Sequence, residues 1–171
     1  MEAGFVRDVR AVSTGSTPGS FLRAKVLRPE HPIAYGYEAL PAVFRGNGPL
    51  WDVDLEDRAR VVLQFGTKDV VKEDEETKGA LPRKTALPGE GSGETRKPGG
   101  KDAVAAGDGP LVLSGFVKEA DKLDGKPAIL DLPVGKGRVV LYAMNPLHRY
   151  LTHADFRFVY NLILNWNDLP D

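Results

Sequence analysis

Apolar and polar residues alternate in parts of the chain with the period of two that is typical of β-strands. The clearest case is Phe21–Leu27, where Leu22, Ala24 and Val26 fall on one face. Arg60–Phe65 is almost continuously apolar, which indicates a strand buried on both faces. Two shorter apolar segments predict further strands, at residues 42–44 and 111–113. The pattern therefore predicts a strand-rich core.

A β-hairpin is predicted near the end of the chain. Two apolar segments, Ala128–Leu132 and Arg138–Met144, are joined by Pro133-Val134-Gly135-Lys136-Gly137. The two glycines can adopt the positive φ angles that a tight hairpin turn requires. We expect two antiparallel strands with a tight, slightly bulged loop.

The chain then ends in one predicted helix, from Asp155 to Asn167. Apolar residues recur there at helical spacing and are expected to form its buried face: Phe156, Val159, Leu162, Ile163 and Trp166. Thr152 is expected to act as N-cap, with Asp155 three residues on as its partner in a capping box. We expect this helix to pack on the sheet.

One segment differs from the rest in composition. Of the 37 residues from Asp74 to Pro110, eight are glycine, four are proline and none is aromatic. Such a sequence buries too little apolar surface to offset the entropy of ordering it. We therefore expect a single domain over 1–171, with a core at 18–73 and 110–170 and a flexible, disordered insertion at 74–109.

Composition excludes several classes of function. Lys and Arg number 23 and Asp and Glu 24, so the formal net charge is −1, and no basic surface for nucleic acid is expected. The chain has no cysteine, which excludes disulfides, thiolate metal ligands and a cysteine nucleophile. No apolar run is long enough to cross a bilayer, so we expect no membrane partner. Residues 1–10 lack the apolar core of a signal peptide.

Candidate catalytic groups are few. His148, His153 and Asp155 lie close in sequence, but their spacing does not impose the three converging ligands of a zinc site. The carboxylates at 52–57 lack the glycine and distal glutamate of an EF-hand loop. Ser114 follows a predicted strand, but no base can be assigned to it. We therefore expect no catalytic residue, no metal site and no cofactor.

The segment between the last strand and the helix is the candidate ligand-binding site. The N-terminus of the helix offers free N–H groups, and polar side chains nearby add donors for a small polar or anionic ligand. The candidate residues are Asn145, His148, Arg149, Thr152 and His153. The alternative is structural: the same side chains hold this loop in place.

Several short sequences also resemble one family. They are Pro18–Lys25, His31–Tyr37, Ala42–Leu50, Asp124–Ala128, Pro133–Val140, Asn145–Leu151 and Asn165–Pro170. Together they resemble a segment of large bacterial zinc-carboxypeptidase-like proteins, over roughly residues 18–72 and 110–170. In those proteins the segment follows the metallopeptidase domain and is similar to class I glutamine amidotransferases. The resemblance therefore implies an α/β fold with part of a flavodoxin-like sheet.

The resemblance does not supply a catalytic site. The carboxypeptidase zinc site uses His-x-x-Glu and a later histidine, and no histidine here has a glutamate three residues on. The amidotransferase site uses a cysteine with a His-x-Glu partner, and this chain has neither. Zinc would belong to the separate catalytic domain of the parent family.

The expected function is a non-catalytic accessory or interaction domain of the peptidase-associated kind. One alternative is a small-ligand binding module that uses the 145–153 loop. Another is part of an active metallocarboxypeptidase whose zinc site lies outside this chain. One helix cannot cover both faces of a flavodoxin-like sheet, so residues 60–65 and the hairpin are expected to expose apolar surface. We therefore expect a homo-oligomer or a complex with a metallopeptidase domain, extracytoplasmic if it accompanies a secreted peptidase.

Overall fold

The computed structural model of the chain describes residues 9–12, 16–68 and 109–170. The strands in these residues are β1 (Val9–Val12), β2 (Gly19–Val26), β3 (Ala42–Arg45), β4 (Leu50–Val53), β5 (Val61–Phe65), β6 (Val112–Phe116), β7 (Pro127–Val134) and β8 (Gly137–Tyr142). Helix α1 spans His153–Leu164. Short 3₁₀ helices lie at Pro32–Ala34, Leu55–Arg60, Ala120–Lys122, His148–Tyr150 and Trp166–Asp168. The predicted insertion at 74–109 lies outside the described residues except for Gly109.

The described strands form a curled six-stranded sheet and a separate two-stranded ribbon. The sheet has the order β3-β2-β5-β7-β8, with β6 also paired to β2, and the ribbon pairs β1 with β4. The first half of β2 lies between β3 and β6, and its second half pairs with β5. Strands from both sides of the undescribed segment 69–108 therefore share one sheet.

Every strand pair in the described part of the chain is antiparallel. A flavodoxin-like sheet is instead built mainly from parallel strands joined by crossover helices. The architecture is α/β in content, strand-rich and closed by one C-terminal helix, and the flavodoxin-like part of the expectation is not confirmed. Within the described residues, no helix is long and apolar enough to cross a bilayer.

Both faces of the central strands are covered. All five residues of β5 are buried, as the continuous apolar pattern predicted. Val61, Leu130 and Leu132 pack against the β1–β4 ribbon, while Leu63 and Ile129 belong to the larger core that includes α1. The expectation that apolar surface stays exposed is therefore wrong for β5 and for most of β7, because the ribbon, which the sequence pattern did not predict, covers the second face. Strand β8 is partly exposed along its whole length.

The predicted hairpin is confirmed, with a shorter turn than expected. Strand β7 continues to Val134, β8 begins at Gly137, and these two residues are paired. Gly135, the first residue of the two-residue turn, has a φ of 61°. A side chain there would be strained, so glycine at this position is what permits so tight a connection.

Helix α1 is anchored by Tyr37. The Tyr37 ring stacks on Phe158, with ring centroids 3.7 Å apart. Its hydroxyl accepts a hydrogen bond from the Phe158 N–H at 3.1 Å and donates to the carbonyl of Ala154. These two backbone groups are four residues apart, so one hydroxyl contacts both members of an α-helical pair. Burial raises the pKa of Tyr37, which keeps this hydroxyl a donor.

The buried face of α1 differs from the predicted one. Phe158, absent from the predicted face, is fully buried, whereas Ile163 and Trp166 of that face are 64% and 47% exposed. The helix is apolar on nearly every side, so the spacing of apolar residues did not determine its rotation. The Tyr37 contacts and the buried Asp155 determine it instead.

A buried ionic network joins four segments of the chain. His31 Nδ1 accepts from the Ile33 N–H at 3.3 Å, which assigns the ring proton to Nε2. Nε2 then donates to Asp131 Oδ2 at 2.9 Å. Arg138 forms an ion pair with the same oxygen and also donates to the carbonyl of Pro170 at 2.9 Å. The sequence did not predict the role of His31 as a buried partner of Asp131.

Arg45 is a second buried charge and organises the turn that follows β3. Its side chain is fully buried and donates to the carbonyls of Gly48 at 3.0 Å and Ala143. Its guanidinium also lies 5.4 Å from the centre of the Phe65 ring. Burial without a described carboxylate partner lowers the pKa of Arg45. This arginine therefore ties the 46–49 turn to the segment that follows β8.

The burial of Phe158 can be tested by truncation. We expect Phe158→Ala to lower the free energy of unfolding by about 3–5 kcal/mol, because the lost ring leaves a cavity. Phe116→Ala removes the same side chain where it is 62% exposed, and we expect a loss below about 1 kcal/mol. Urea denaturation followed by circular dichroism measures both. Equal losses would contradict the packing of Phe158 against Tyr37.

The Asp131 network gives a second test. We expect Arg138→Met to destabilise the fold by about 3–5 kcal/mol, because the Asp131 carboxylate would lose its cationic partner while staying buried. Lys136→Met changes a charged side chain in the exposed turn of the same hairpin, and we expect a change within about 0.5 kcal/mol. The same urea experiment compares them. A variant Arg138→Met as stable as Lys136→Met would show that the network contributes nothing.

Candidate functional site

The predicted site residues lie between the end of β8 and the first residue of α1, His153, but they face different surroundings. Asn145 is held by β3 and the residue that follows it. Its side-chain Oδ1 accepts from the Gly46 N–H at 2.8 Å, and its backbone N–H donates to the Phe44 carbonyl at 2.9 Å. His148 stacks on the Phe44 ring, with centroids 4.6 Å apart. These two side chains therefore fasten the loop to the edge of the sheet.

Thr152 and Asp155 do not form the predicted capping box. Thr152 occupies the N-cap position, but its side chain makes no capping hydrogen bond. Asp155 instead accepts from the Phe44 N–H, with its Oδ2 2.9 Å from that nitrogen. An edge-strand donor is thus satisfied by a helix side chain, which joins β3 to the first turn of α1. The expectation of a local capping box is wrong because a tertiary partner takes the carboxylate.

Asp155 is a buried carboxyl group, 1% exposed. Burial raises its pKa to about 6, and the hydrogen bond from Phe44 opposes part of that rise. The group therefore changes charge near neutral pH, at the junction between the helix and the sheet. It is closed to solvent and holds the backbone of Phe44, so it joins the helix to the sheet.

Arg149 and Tyr150 turn the chain outward. Both have left-handed backbone angles, with φ of 48° and 58°. Non-glycine residues rarely adopt this conformation, and each costs about 1–2 kcal/mol. The turn leaves Tyr150 73% exposed, with its ring 4.3 Å from that of His153. The backbone is therefore strained at the position where an aromatic ring is exposed to solvent.

His148 and His153 are not brought together around a common point. His148 contacts Phe44, whereas His153 contacts the rings of Tyr150 and Phe156. Among the described residues, no three His, Asp or Glu side chains form a group that could hold a metal ion. Asp52, from the acidic segment at 52–57, forms an ion pair with Lys126 at 2.8 Å.

A surface rich in exposed aromatic and aliphatic side chains runs from this loop along the outside of α1, with the exposed Arg157 between His153 and Tyr160. Aromatic contacts link Tyr150 to His153 and Phe156, and Phe156 to Tyr160. We call the exposed part of this surface the outer stripe: Tyr150, His153, Tyr160, Ile163 and Leu164. Tyr160, Ile163 and Leu164 are 55%, 64% and 79% exposed. The outer stripe is the feature of this region that geometry most clearly marks for contact with another surface.

Sequence reasoning missed the outer stripe for an identifiable reason. Spacing placed Ile163 on the buried face and left Tyr160 and Leu164 unassigned. The signal was nevertheless present, since apolar residues occur on both sides of His153–Leu164. A helix that is apolar all round is normally covered all round. One side of α1 packs on the sheet, and the other has no cover in the described chain.

Comparison with known proteins adds no further constraint. Searches of protein families, of curated proteins and of solved structures each found no match.

The raised pKa of Asp155 predicts a pH-dependent stability. The folded state binds this proton more tightly than the unfolded chain, so the stability it contributes is present at low pH, is lost as pH rises from about 4 through about 6, and does not change further above that. Asp155→Asn keeps an oxygen acceptor for the Phe44 N–H but cannot ionise. We expect the variant to be at least as stable as wild type at pH 8, and wild type to gain on it as the pH falls to 5.

Thermal denaturation of both proteins across this pH range measures the difference. Asp54→Asn, which changes an exposed carboxylate that makes no capping hydrogen bond at the start of the Leu55–Arg60 3₁₀ helix, is the matched control and should leave the pH profile of wild type unchanged. A wild-type advantage over Asp155→Asn that grows as the pH rises would contradict the direction of the pKa shift.

Proposed function

We propose that the chain is a non-catalytic interaction domain and that its outer stripe binds a second copy of the chain. The observation that carries this proposal is the exposure of three adjacent large side chains, Tyr160, Ile163 and Leu164, on a helix whose other side is already packed. Contiguous apolar surface of this kind is uncommon on monomers and usually marks an interface.

Neighbouring side chains enlarge the surface. Leu147 and Leu151 lie in the loop before α1 and are 56% and 69% exposed, and Trp166 follows the helix at 47%. Aromatic and large aliphatic side chains of this type supply most of the binding energy in protein interfaces. A surface that includes the loop, the outer stripe and Trp166 is long enough to bury a central cluster beneath a polar rim.

Charge favours a second copy in an antiparallel arrangement. Arg157 is exposed in the first half of α1, where its guanidinium donates to the Gly36 carbonyl, and Asp168 is exposed just beyond the end of the helix. An antiparallel pair of these helices about a two-fold axis would bring Arg157 of each copy toward Asp168 of the other. Self-complementarity of this kind is what a two-fold interface requires. A parallel arrangement would instead place like charges together.

The strained turn at Arg149 and Tyr150 supports the same surface. Consecutive left-handed non-glycine residues persist only where other interactions hold them, and they cluster at functional positions. Here the turn places Tyr150 against His153, at the N-terminal end of the outer stripe. The strained backbone at these two residues therefore extends the apolar surface beyond the helix.

The proposal also includes the wider role of the chain as an accessory domain of a peptidase. The resemblance to the C-terminal region of zinc-carboxypeptidase-like proteins supports an accessory role beside a peptidase, and a flavodoxin-like ancestry would follow from it. In that setting a metallopeptidase domain would compete with the second copy for the outer stripe. The antiparallel sheet supports only the broader α/β description. Self-association is the part of the proposal that can be tested with this chain alone.

Sedimentation velocity at low micromolar concentration tests the proposal. We expect wild type to sediment as a dimer and Leu164→Glu as a monomer, because a charge at the centre of the interface would be buried without a partner. Leu113→Glu is the matched control: Leu113 is 42% exposed on β6, away from the outer stripe, and its variant should remain a dimer.

Two results would contradict the proposal. Wild type that stays monomeric at high micromolar concentration would exclude a second copy as the partner. Dissociation of Leu113→Glu to the same extent as Leu164→Glu would show that the dimer uses another surface. The circular dichroism spectra of all three proteins, recorded beforehand, separate loss of association from loss of fold.

A further inference from the structure

A cavity of about 500 Å³ lies away from the outer stripe. It is enclosed by the end of β4, the 3₁₀ helix at Leu55–Arg60, the start of β5 and the turn that leads into β7. Its volume falls within the range of small-molecule sites, which are typically about 300–1,000 Å³. None of its lining residues belongs to α1 or to the loop before it.

Apolar side chains form much of the cavity wall. Leu27, Val53, Val61 and Pro127 contribute hydrocarbon surface from four different segments. A wall of this composition favours a ligand with an aliphatic or aromatic body over one that is polar throughout. Any charged group of the ligand must then be recognised by the few polar side chains that also line the cavity.

Arg58 is the side chain that could pair with a negatively charged group of the ligand. It lines the cavity, and its Nη1, which is packed out of reach of solvent in this side-chain position, has no hydrogen-bond acceptor among the described residues. Two lysines of the same wall are already engaged, since Lys126 Nζ lies 2.8 Å from Asp52 and Lys122 Nζ lies 3.0 Å from Glu119. A buried guanidinium nitrogen without an acceptor is costly, so a rotation of the Arg58 side chain toward an acceptor in the cavity would relieve that cost.

The acidic residues narrow the class of ligand. Asp121 and Asp124 also line the cavity, and their carboxylates would repel a group carrying two negative charges. A carboxylate carries one charge, and its planar pair of oxygens matches the geometry of a guanidinium group. Phosphate is disfavoured by its charge, and a cation is disfavoured by Arg58.

We infer that this cavity is a binding site for a small monocarboxylic acid with an aliphatic or aromatic body, whose carboxylate pairs with Arg58. The hydrocarbon body lies against the apolar wall, and the carboxylate gives the guanidinium of Arg58, once it turns toward the cavity, an acceptor that the described chain does not provide. The inference is independent of the outer stripe and of the oligomeric state.

Titration of the full chain with sodium hexanoate, followed by the chemical shifts of backbone amides, tests this site. We expect saturable shifts at the cavity residues with a Kd of about 1 mM or below. Arg58→Met should weaken binding about tenfold or more, and Arg58→Lys, which keeps the charge but loses the planar fork, should fall between the two. Arg60→Met changes an arginine of the same 3₁₀ helix that does not line the cavity, and should bind within about twofold of wild type.

Two further ligands test the recognition of charge. Hexylamine presents the same hydrocarbon with the opposite charge, and inorganic phosphate presents an anion without hydrocarbon. We expect neither to produce shifts at the cavity. Hexylamine binding as tightly as hexanoate, phosphate binding more tightly, equal losses for Arg58→Met and Arg60→Met, or no saturable shifts with hexanoate would each overturn the inference. Arg58→Lys keeps the test valid if Arg58→Met does not fold.

Discussion

The carboxylate of Asp131 is the interaction on which the arrangement of this chain most depends. It is 1% exposed and lies in the middle of β7, where an unpaired negative charge could not be tolerated. His31 and Arg138 both reach the same oxygen, and Arg138 continues to the backbone carbonyls of residues 169–170. One buried charge therefore fixes the segment before the first 3₁₀ helix, the hairpin and the end of the chain relative to one another.

Polar contacts, rather than apolar ones, also decide how α1 sits on the sheet. Asp155 accepts from the N–H of Phe44, and the Tyr37 hydroxyl bonds to the backbone at 154 and 158. Hydrophobic burial is non-directional, so a helix that is apolar on every side could pack in several rotations with similar gain. Hydrogen bonds have strict geometry and select one of these rotations. The side left outward is then apolar because the sequence is, and the outer stripe results.

The sequence pattern was sufficient where a local period determined the outcome. Alternation in 21–27, the continuous apolar segment at 61–65 and the glycines of the hairpin each predicted a strand or turn that the structure contains. It was insufficient where partners are distant: His31 and Asp131 are 100 residues apart, and nothing near either indicates the other. Strands β1 and β4 are four residues each, and Arg10 and Asp52 interrupt the apolar run of the kind that predicted β3, so the covered second face of the sheet was missed. The predicted capping box is absent for the same reason: Asp155 accepts from a distant strand N–H instead of from the N-terminus of its own helix.

These differences change the reason for expecting association. The sequence pointed to an unfinished sheet, but the ribbon and α1 cover β5 and β7 on both faces, so the sheet does not demand a partner. The surface that favours a partner is instead on α1, which is packed on one side and exposes large apolar side chains on the other. The cavity beside Arg58 is built from β4, β5 and the turn before β7, and shares no residue with the outer stripe. A ligand in the cavity and a partner on the helix therefore use separate surfaces of one core, and the failure of either proposal would leave the other standing.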